Sequence, residues 1–183
     1  DSVSRDMAAT VYSSFVEGEL LLTDDITAEL VKLIENTYRD VNIALANELS
    51  SVAQSLQIDA KGAINLANRH PRVNILTPGI GVGGHCIPID PWFIQQVNDQ
   101  NSRLINTARV INDEMPRKIV YQIKTATQNI DGPRIVAIGA AYKANTADIR
   151  ESPSIEIVRL LRSEGYEVNH FDPLVDGMNF PTT

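Results

Sequence analysis

Cysteine and histidine are scarce: Cys86 stands alone, and His70, His85 and His170 are the only imidazoles in 183 residues. One thiol closes no internal disulfide, and these scattered groups offer no metal-ligand spacing, so no metal is expected. Long apolar runs are missing too; none approaches the roughly 20 residues of a membrane-spanning helix. Positive charge is short, with 16 Lys and Arg against 23 Asp and Glu, for a formal net charge of −7. That balance excludes nucleic acid and anionic membrane surfaces as main partners, because both demand clustered Lys and Arg. The opening stretch, DSVSRDMAATVYSSFVEGELLLTD, has no signal-peptide pattern, and the cytoplasm is the expected compartment. It lacks an initiating methionine, and the end at DPLVDGMNFPTT is abrupt; both read as an excised piece of a longer protein.

With 43% hydrophobic content, the chain has enough apolar side chains for one good core or two small ones. Its most telling stretch is PGIGVGGHCIPIDPWF, Pro78 to Phe93. Gly79, Gly81, Gly83 and Gly84 permit positive φ and close approach of a ligand to main-chain N–H groups. Asp90 followed by Pro91 reads as a helix start, with the carboxylate as N-cap and the proline at N1. Cys86 then lies just ahead of a helix N-terminus, where the macrodipole favours thiolate over thiol. A lone cysteine is otherwise a small buried hydrophobe, but the glycines and the helix start favour a nucleophile. Gly79-x-Gly81-x-x-Gly84 matches the dinucleotide fingerprint by letter, yet Pro88 and Pro91 bar a helix after the third glycine. A dinucleotide site is therefore rejected there. His85 adjoins Cys86, and an extended loop sends neighbours to opposite sides, which argues against a His-Cys dyad.

From Thr27 to Leu56 one long helix is predicted. Leu30, Ile34, Tyr38, Val41, Leu45, Leu49, Val52 and Leu56 recur at steps of three and four with no Pro or Gly between. Asp24 or Asp25 caps its start. Lys32, Asn36, Arg39, Ile43 and Asn47 form an opposite stripe of the kind that is usually the wet face. A helix of roughly 30 residues is about 45 Å long and needs a partner along it, which a second copy would supply. Further helices are predicted over 58–68, 91–97 and 102–127, with Pro116 marking a break or kink near the join of two domains.

Beyond Asp131-Gly132-Pro133 the character changes. Arg134 to Ala141, RIVAIGAA, reads as a strand buried on both faces. Ser152-Pro153 starts a helix that closes at Gly165, and Tyr166 to Phe171 forms a second strand, completing a βαβ unit. The connecting loop, AYKANTADIRESP, carries Lys143, Asp148, Arg150 and Glu151 at the carboxyl end of a strand, where ligands of open α/β sheets bind. Lys143 or Arg150 is the counter-charge for a phosphate there.

Three ordered stretches, AELVKLIENTYRDVNIALANE at 28–48, GVGGHCIPIDPWF at 81–93 and AYKANTADIRESPS at 141–154, resemble the UDP-glucose/GDP-mannose dehydrogenase family. The resemblance covers nearly the whole chain. It implies an α/β protein overall: a tail of an NAD-binding domain at 1–23, a long-helix all-α central dimerisation domain at 24–115, and a partial, Rossmann-like UDP-binding domain at 116–183. It implies NAD as cofactor, with its main site in a domain this chain does not contain. It also implies a homodimer through the long central helix and a UDP-N-acetylhexosamine substrate. Ile89 stands where UDP-glucose members carry lysine; the variant is most like members that oxidise UDP-N-acetyl-D-mannosamine, and those acting on UDP-N-acetylglucosamine share it.

The family oxidises a sugar C6 alcohol to a carboxylate in two NAD-dependent steps through a cysteine thiohemiacetal and thioester. By resemblance Cys86 is the nucleophile, Lys32 and Asn36 stabilise oxyanion charge and position water, and Asp90 orients the hydrolytic step. Gly79, Gly81, Gly83, Gly84 and Lys143 contact the UDP-sugar, Arg72 crosses the dimer to the partner's substrate, and Arg150 reaches toward NAD. A non-catalytic dimerisation and nucleotide-binding module is the other reading of the same features, with Cys86 serving only for packing.

Overall fold

The structure is a computed structural model and describes residues 1–178. Helix α1 (Ser2–Tyr12) leads into α2 (Asp25–Ser55), α3 (Ala60–Ala67), α4 (Asp90–Val97) and α5 (Arg103–Thr127), and a β1 (Arg134–Ile138), α6 (Pro153–Ser163), β2 (Glu167–Phe171) unit follows. The last five residues of the expected 116–183 domain lie outside the described residues.

The long helix forms as its periodicity requires. Asp24 caps it, accepting the Thr27 N–H at 2.8 Å. Its orientation differs from the expected one. The buried residues of α2 are Asn36, Thr37, Asp40, Ala44, Ala46, Asn47 and Ala53, whereas Leu30, Ile34, Tyr38, Leu45, Leu49, Val52 and Leu56 face outward. Asn36 and Asn47, members of the supposed wet stripe, therefore point into the protein. Three alanines lie on this inner face against α5, and polar side chains from both helices bond to one another there, with Thr37 Oγ1, Asp40 Oδ2 and Arg109 Nε buried without a partner. The apolar stripe is the surface the single chain leaves uncovered.

Helix α5 runs through Pro116 without a break, contrary to the expected interruption. It packs on α2 and α4, with Lys118 and Gln122 still bonded to Ser51 and Gln54 of α2, while Val120 joins a core with Ile157, Val158 and Leu161 of α6 and Val168 of β2. Burying each such aliphatic side chain contributes about 1.5–3 kcal/mol. The two strands pair in parallel, Ile135 against Val168 and Ala137 against His170, completing the βαβ unit. The strand buried on both faces is not found: Val136 and Ile138 are 50% and 76% exposed. α6 packs on one side of the two-stranded sheet, with no described element on the other.

Two expected caps also differ. Ser152 precedes α6, but its hydroxyl makes no cap bond and is buried without a partner; Ser154 Oγ instead bonds the Gly139 carbonyl at 2.5 Å. Asp90 is the first residue of α4, not its N-cap, and its carboxylate is occupied elsewhere.

Candidate active site

The glycine loop passes between the helical part and the βαβ unit, and the space it has there explains its composition. A Cβ on Gly83 would lie 2.6 Å from the Glu151 carbonyl oxygen and 2.8 Å from Pro153 Cδ, both hard to displace. Gly84 has φ +92°, and a Cβ on it would meet the Tyr142 ring at 2.9 Å. The tight approach that demands glycine is therefore to the 142–153 loop of this same chain. The Gly84 N–H donates to the Arg150 carbonyl at 3.0 Å and closes the contact.

Cys86 emerges from this loop half-buried, and its carbonyl accepts the Ile89 and Asp90 N–H groups at 3.0 and 2.8 Å at the start of α4. Cys86 lines a cleft of about 250 Å³ with Lys32, Asn36 and Arg39 from α2, Gly83, Gly84 and His85 from its own loop, and Tyr142 and Lys143 from beyond β1. Three stretches far apart in sequence meet here. Larger clefts exist, among them one of about 630 Å³ between α2 and α5, but that one holds none of these groups.

Within the cleft the polar groups are ordered. Asn36, almost fully buried, donates from Nδ2 to Asp90 Oδ2 at 2.5 Å and accepts Arg39 Nη2 on its oxygen. Arg39 donates only and a carboxylate accepts, so the amide has one orientation. Lys32 pairs with Glu35 at 3.3 Å on the exposed side of α2, and the Lys143 ammonium sits 5.5 Å from the centre of the Tyr142 ring. Arg150 does not line the cleft, and neither does Asp90; Arg150 is held by Asp148, with Nε at 2.9 Å and Nη2 at 2.5 Å from its two oxygens. These bonds, with the Arg150 N–H, bring the Asp148 carboxyl down to about 2.

The loop geometry corrects the reading of His85. Residues 84–89 form a bend and a turn, not an extended segment, and His85 and Cys86 line the same cleft. Gly79 and Gly81 do not line it: the Gly79 N–H is taken by Asn47 Oδ1 at 2.8 Å, and Gly81 abuts Pro153. Arg72 lies exposed after α3, its N–H donating to His70 Nδ1 at 3.3 Å, and is not among the lining residues. Sequence reasoning did not single out Arg39 or Tyr142 as site residues. Arg39 sits one turn from Asn36, a signal that was available; Tyr142 carries none without the fold.

No strand precedes Gly79, and Gly84 enters a turn, so the dinucleotide geometry is absent at the glycine loop. The β1–α6 connection, residues 139–152, holds only Gly139 and lacks the glycine triplet as well. Among the described residues no group of three His, Cys, Asp or Glu side chains could hold a metal ion. Among the described residues no helix is long and apolar enough to cross a membrane.

A long helix, a glycine loop carrying a cysteine and a βαβ unit follow one another in this chain, and the same order of domains is found in known proteins. The model of the UDP-glucose/GDP-mannose dehydrogenase central domain matches residues 26–114, and that of the family's UDP binding domain matches 136–180. The chain belongs to the UDP-glucose/GDP-mannose dehydrogenase family. It is 48% identical over 180 residues to a UDP-N-acetyl-D-mannosamine dehydrogenase of Methanococcus maripaludis, covering 97% of this chain and 42% of that protein. It is 50% identical over 154 residues to an NDP-N-acetyl-D-galactosaminuronic acid dehydrogenase of Ralstonia solanacearum, covering 84% and 36%. The solved UDP-D-ManNAc dehydrogenase of Pyrococcus horikoshii superposes with a TM-score of 0.92 at 44% identity, covering 97% of this chain and 43% of that one. The chain thus spans about 42% of the length of the curated relatives it matches.

Proposed function

We propose that this chain carries the nucleophile and the UDP-sugar side of a UDP-N-acetyl-D-mannosamine 6-dehydrogenase. The observation that carries the reading is the meeting of Cys86, Lys32, Asn36 and Lys143 around one cleft. NAD, when bound, accepts the two electrons of each oxidation; the chain offers it Arg150, and among the described residues neither the glycine loop nor the β1–α6 connection forms a pyrophosphate cradle.

The residues divide the work. After the C6 alcohol becomes an aldehyde, Cys86 Sγ adds as thiolate to the carbonyl carbon, and the oxygen takes a proton to give a thiohemiacetal. Loss of that proton and of a hydride leaves a thioester. Water attacks the thioester carbon, the thiolate departs and the carboxylate remains. Lys32 supplies positive charge where oxyanion character develops, and Asn36, locked against Asp90, holds an N–H at the same place. Asp90 orients the water. Lys143 meets the diphosphate, and Gly83 and Gly84 bring the loop within reach of the sugar, with Gly79 and Gly81 setting its course. Arg72 serves the substrate of a second copy in a homodimer joined along α2. The enzyme works in the cytoplasm, with domain limits at 24–115 and 116–183 after a 1–23 lead from the NAD-binding domain.

The test is product analysis of Cys86→Ala in the full-length enzyme with UDP-N-acetylmannosamine. Uronic acid formation should be lost, and any remaining hydride transfer should stop at the aldehyde. Normal uronate at near wild-type rate would make Cys86 structural and leave the non-catalytic module as the reading. A second substrate has specific support: the 50% identity to an NDP-N-acetyl-D-galactosaminuronic acid dehydrogenase. The panel should therefore include UDP-N-acetylgalactosamine with the N-acetylmannosamine and N-acetylglucosamine forms.

A further inference from the structure

A side chain from α2 ties down the head of the glycine loop. Asn47 Oδ1 takes the Gly79 N–H at 2.8 Å, and Asn47 Nδ2 donates to Asn112 Oδ1 on α5 at 3.1 Å. Asn112 Nδ2 in turn donates to the backbone carbonyl and to Oδ1 of Asp40, each at 2.9 Å. Arg109 Nη1 reaches the same Oδ1 at 2.5 Å. All four side chains belong to residues no more than 2% exposed.

An amide has a donor end and an acceptor end, and turning it over reverses every bond it makes. Here reversal is blocked from one side. The Asp40 carbonyl only accepts, and Oδ1 already accepts from Arg109, so the end of Asn112 facing them is its NH₂. Its oxygen therefore faces Asn47, the Asn47 NH₂ turns to meet it, and the Asn47 oxygen is left for the Gly79 N–H. A proton on Asp40 Oδ2 changes none of this, because Oδ1 is the accepting atom. With the relay reversed, an NH₂ group would confront the Gly79 N–H, donor against donor, at a part-buried bond.

The relay acts where the loop is set. Two residues beyond Gly79, a Cβ on Gly81 would lie 3.1 Å from Pro153 and 3.3 Å from the Asn112 carbonyl oxygen, so Asn112 borders the loop directly as well as through Asn47. Gly84 is then pinned by the Arg150 carbonyl, and Cys86 follows with its carbonyl bound at the start of α4. Neither Asn47 nor Asn112 lines the Cys86 cleft.

We propose that Asn47 and Asn112 are positioning residues for Cys86: a buried two-amide relay, oriented by Asp40, that fixes the course of the glycine loop and with it the place of the thiol. The inference rests on the reading of Cys86 as the nucleophile. The test combines amide hydrogen exchange with kinetics in the full-length enzyme. In the wild type, the Gly79 amide exchanges slowly. In Asn47→Ala it exchanges at least about tenfold faster relative to amides in the middle of α5, because its one acceptor, the part-buried Asn47 Oδ1, is gone. Uronate formation then falls in kcat by about 10- to 100-fold, with KM within about threefold, the pattern of a displaced reacting group. Asn112→Ala, which frees Asn47 to turn over, gives the same split. Ala53→Gly weakens α2 away from the relay and leaves kcat unchanged. A Gly79 amide that exchanges freely in the wild type overturns the relay without any variant having to fold. Unchanged kcat in Asn47→Ala overturns its role while Cys86→Ala remains inactive; a fully active Cys86→Ala overturns the nucleophile reading instead.

Discussion

Asn36 and Asp90, 54 positions apart in the sequence, meet at 2.5 Å between the long helix and the first turn of α4. The carboxylate that looked like a helix cap is an acceptor for a buried amide. The start of α4 is fixed to α2 through that bond, and Cys86, whose carbonyl takes the first N–H groups of α4, is fixed with it.

Lys32 lies at the outer edge of this arrangement, and its loss should register in rate more than in binding. Lys32→Ala is expected to lower kcat for uronate formation by about 10²–10³-fold, the range for one oxyanion donor, with KM nearly unchanged. Steady-state kinetics of the full-length enzyme settle it; a rise in KM at constant kcat would place Lys32 in uniform substrate binding.

Gly83→Ala should destabilise the join between the helical part and the βαβ unit. The added methyl meets the Glu151 carbonyl and the Pro153 ring, neither of which is a flexible side-chain end. The expected cost is about 1–3 kcal/mol, the range for overpacking, read as a lower urea midpoint at constant slope. Stability equal to wild type would mean that the loop does not pack there as closely as described.

The outward stripe of α2 predicts a dimer that charge disrupts. Ile34 and Val52 are 52% and 55% exposed in the single chain. Ile34→Glu with Val52→Glu should convert a dimer at micromolar concentration into monomer by sedimentation velocity, with helical content preserved. A wild type that sediments as monomer would remove the basis of the prediction.

Acid stability carries the mark of Asp148. Its hydrogen bonds to Arg150 bring its pKa down to about 2 from the usual value near 3.9, so the folded state holds fewer protons than the unfolded one between those values. The stabilisation is complete above about pH 4 and is lost as pH falls toward 2. Asp148→Asn should flatten that part of the stability profile, and added salt should shrink the difference, because Arg150 is exposed. Identical acid profiles for the variant and wild type would contradict the pairing.

Much of this architecture was legible. The spacing from Leu30 to Leu56 gave the helix, Asp131-Gly132-Pro133 marked the change to βαβ, and the glycines around Cys86 marked the site. The direction in which α2 turns was not, because period alone does not say which stripe meets the rest of the chain. Asn36, Asp40 and Asn47 are inside with Asp90, Arg109 and Asn112 as hydrogen-bond partners, and those partners come from other elements. Burial of β1 was misjudged for a related reason: RIVAI is apolar enough for two covered faces, but α6 covers one. That His85 lines the same cleft as Cys86 was not legible, because an extended loop was expected where the chain bends and turns.

Helix α5 belongs to both halves of the molecule. Arg109 and Asn112 lock it to α2, and two turns later Val120 is embedded between α6 and β2. A shared beam of this kind leaves no slack at the junction. The cysteine side and the lysine side of the cleft cannot swing apart unless α5 bends or the Gly83–Glu151 contact opens. The spacing between Cys86 and Lys143 therefore depends on a helix that lends their cleft no lining residue, and on the Gly84–Arg150 hydrogen bond that closes the loop.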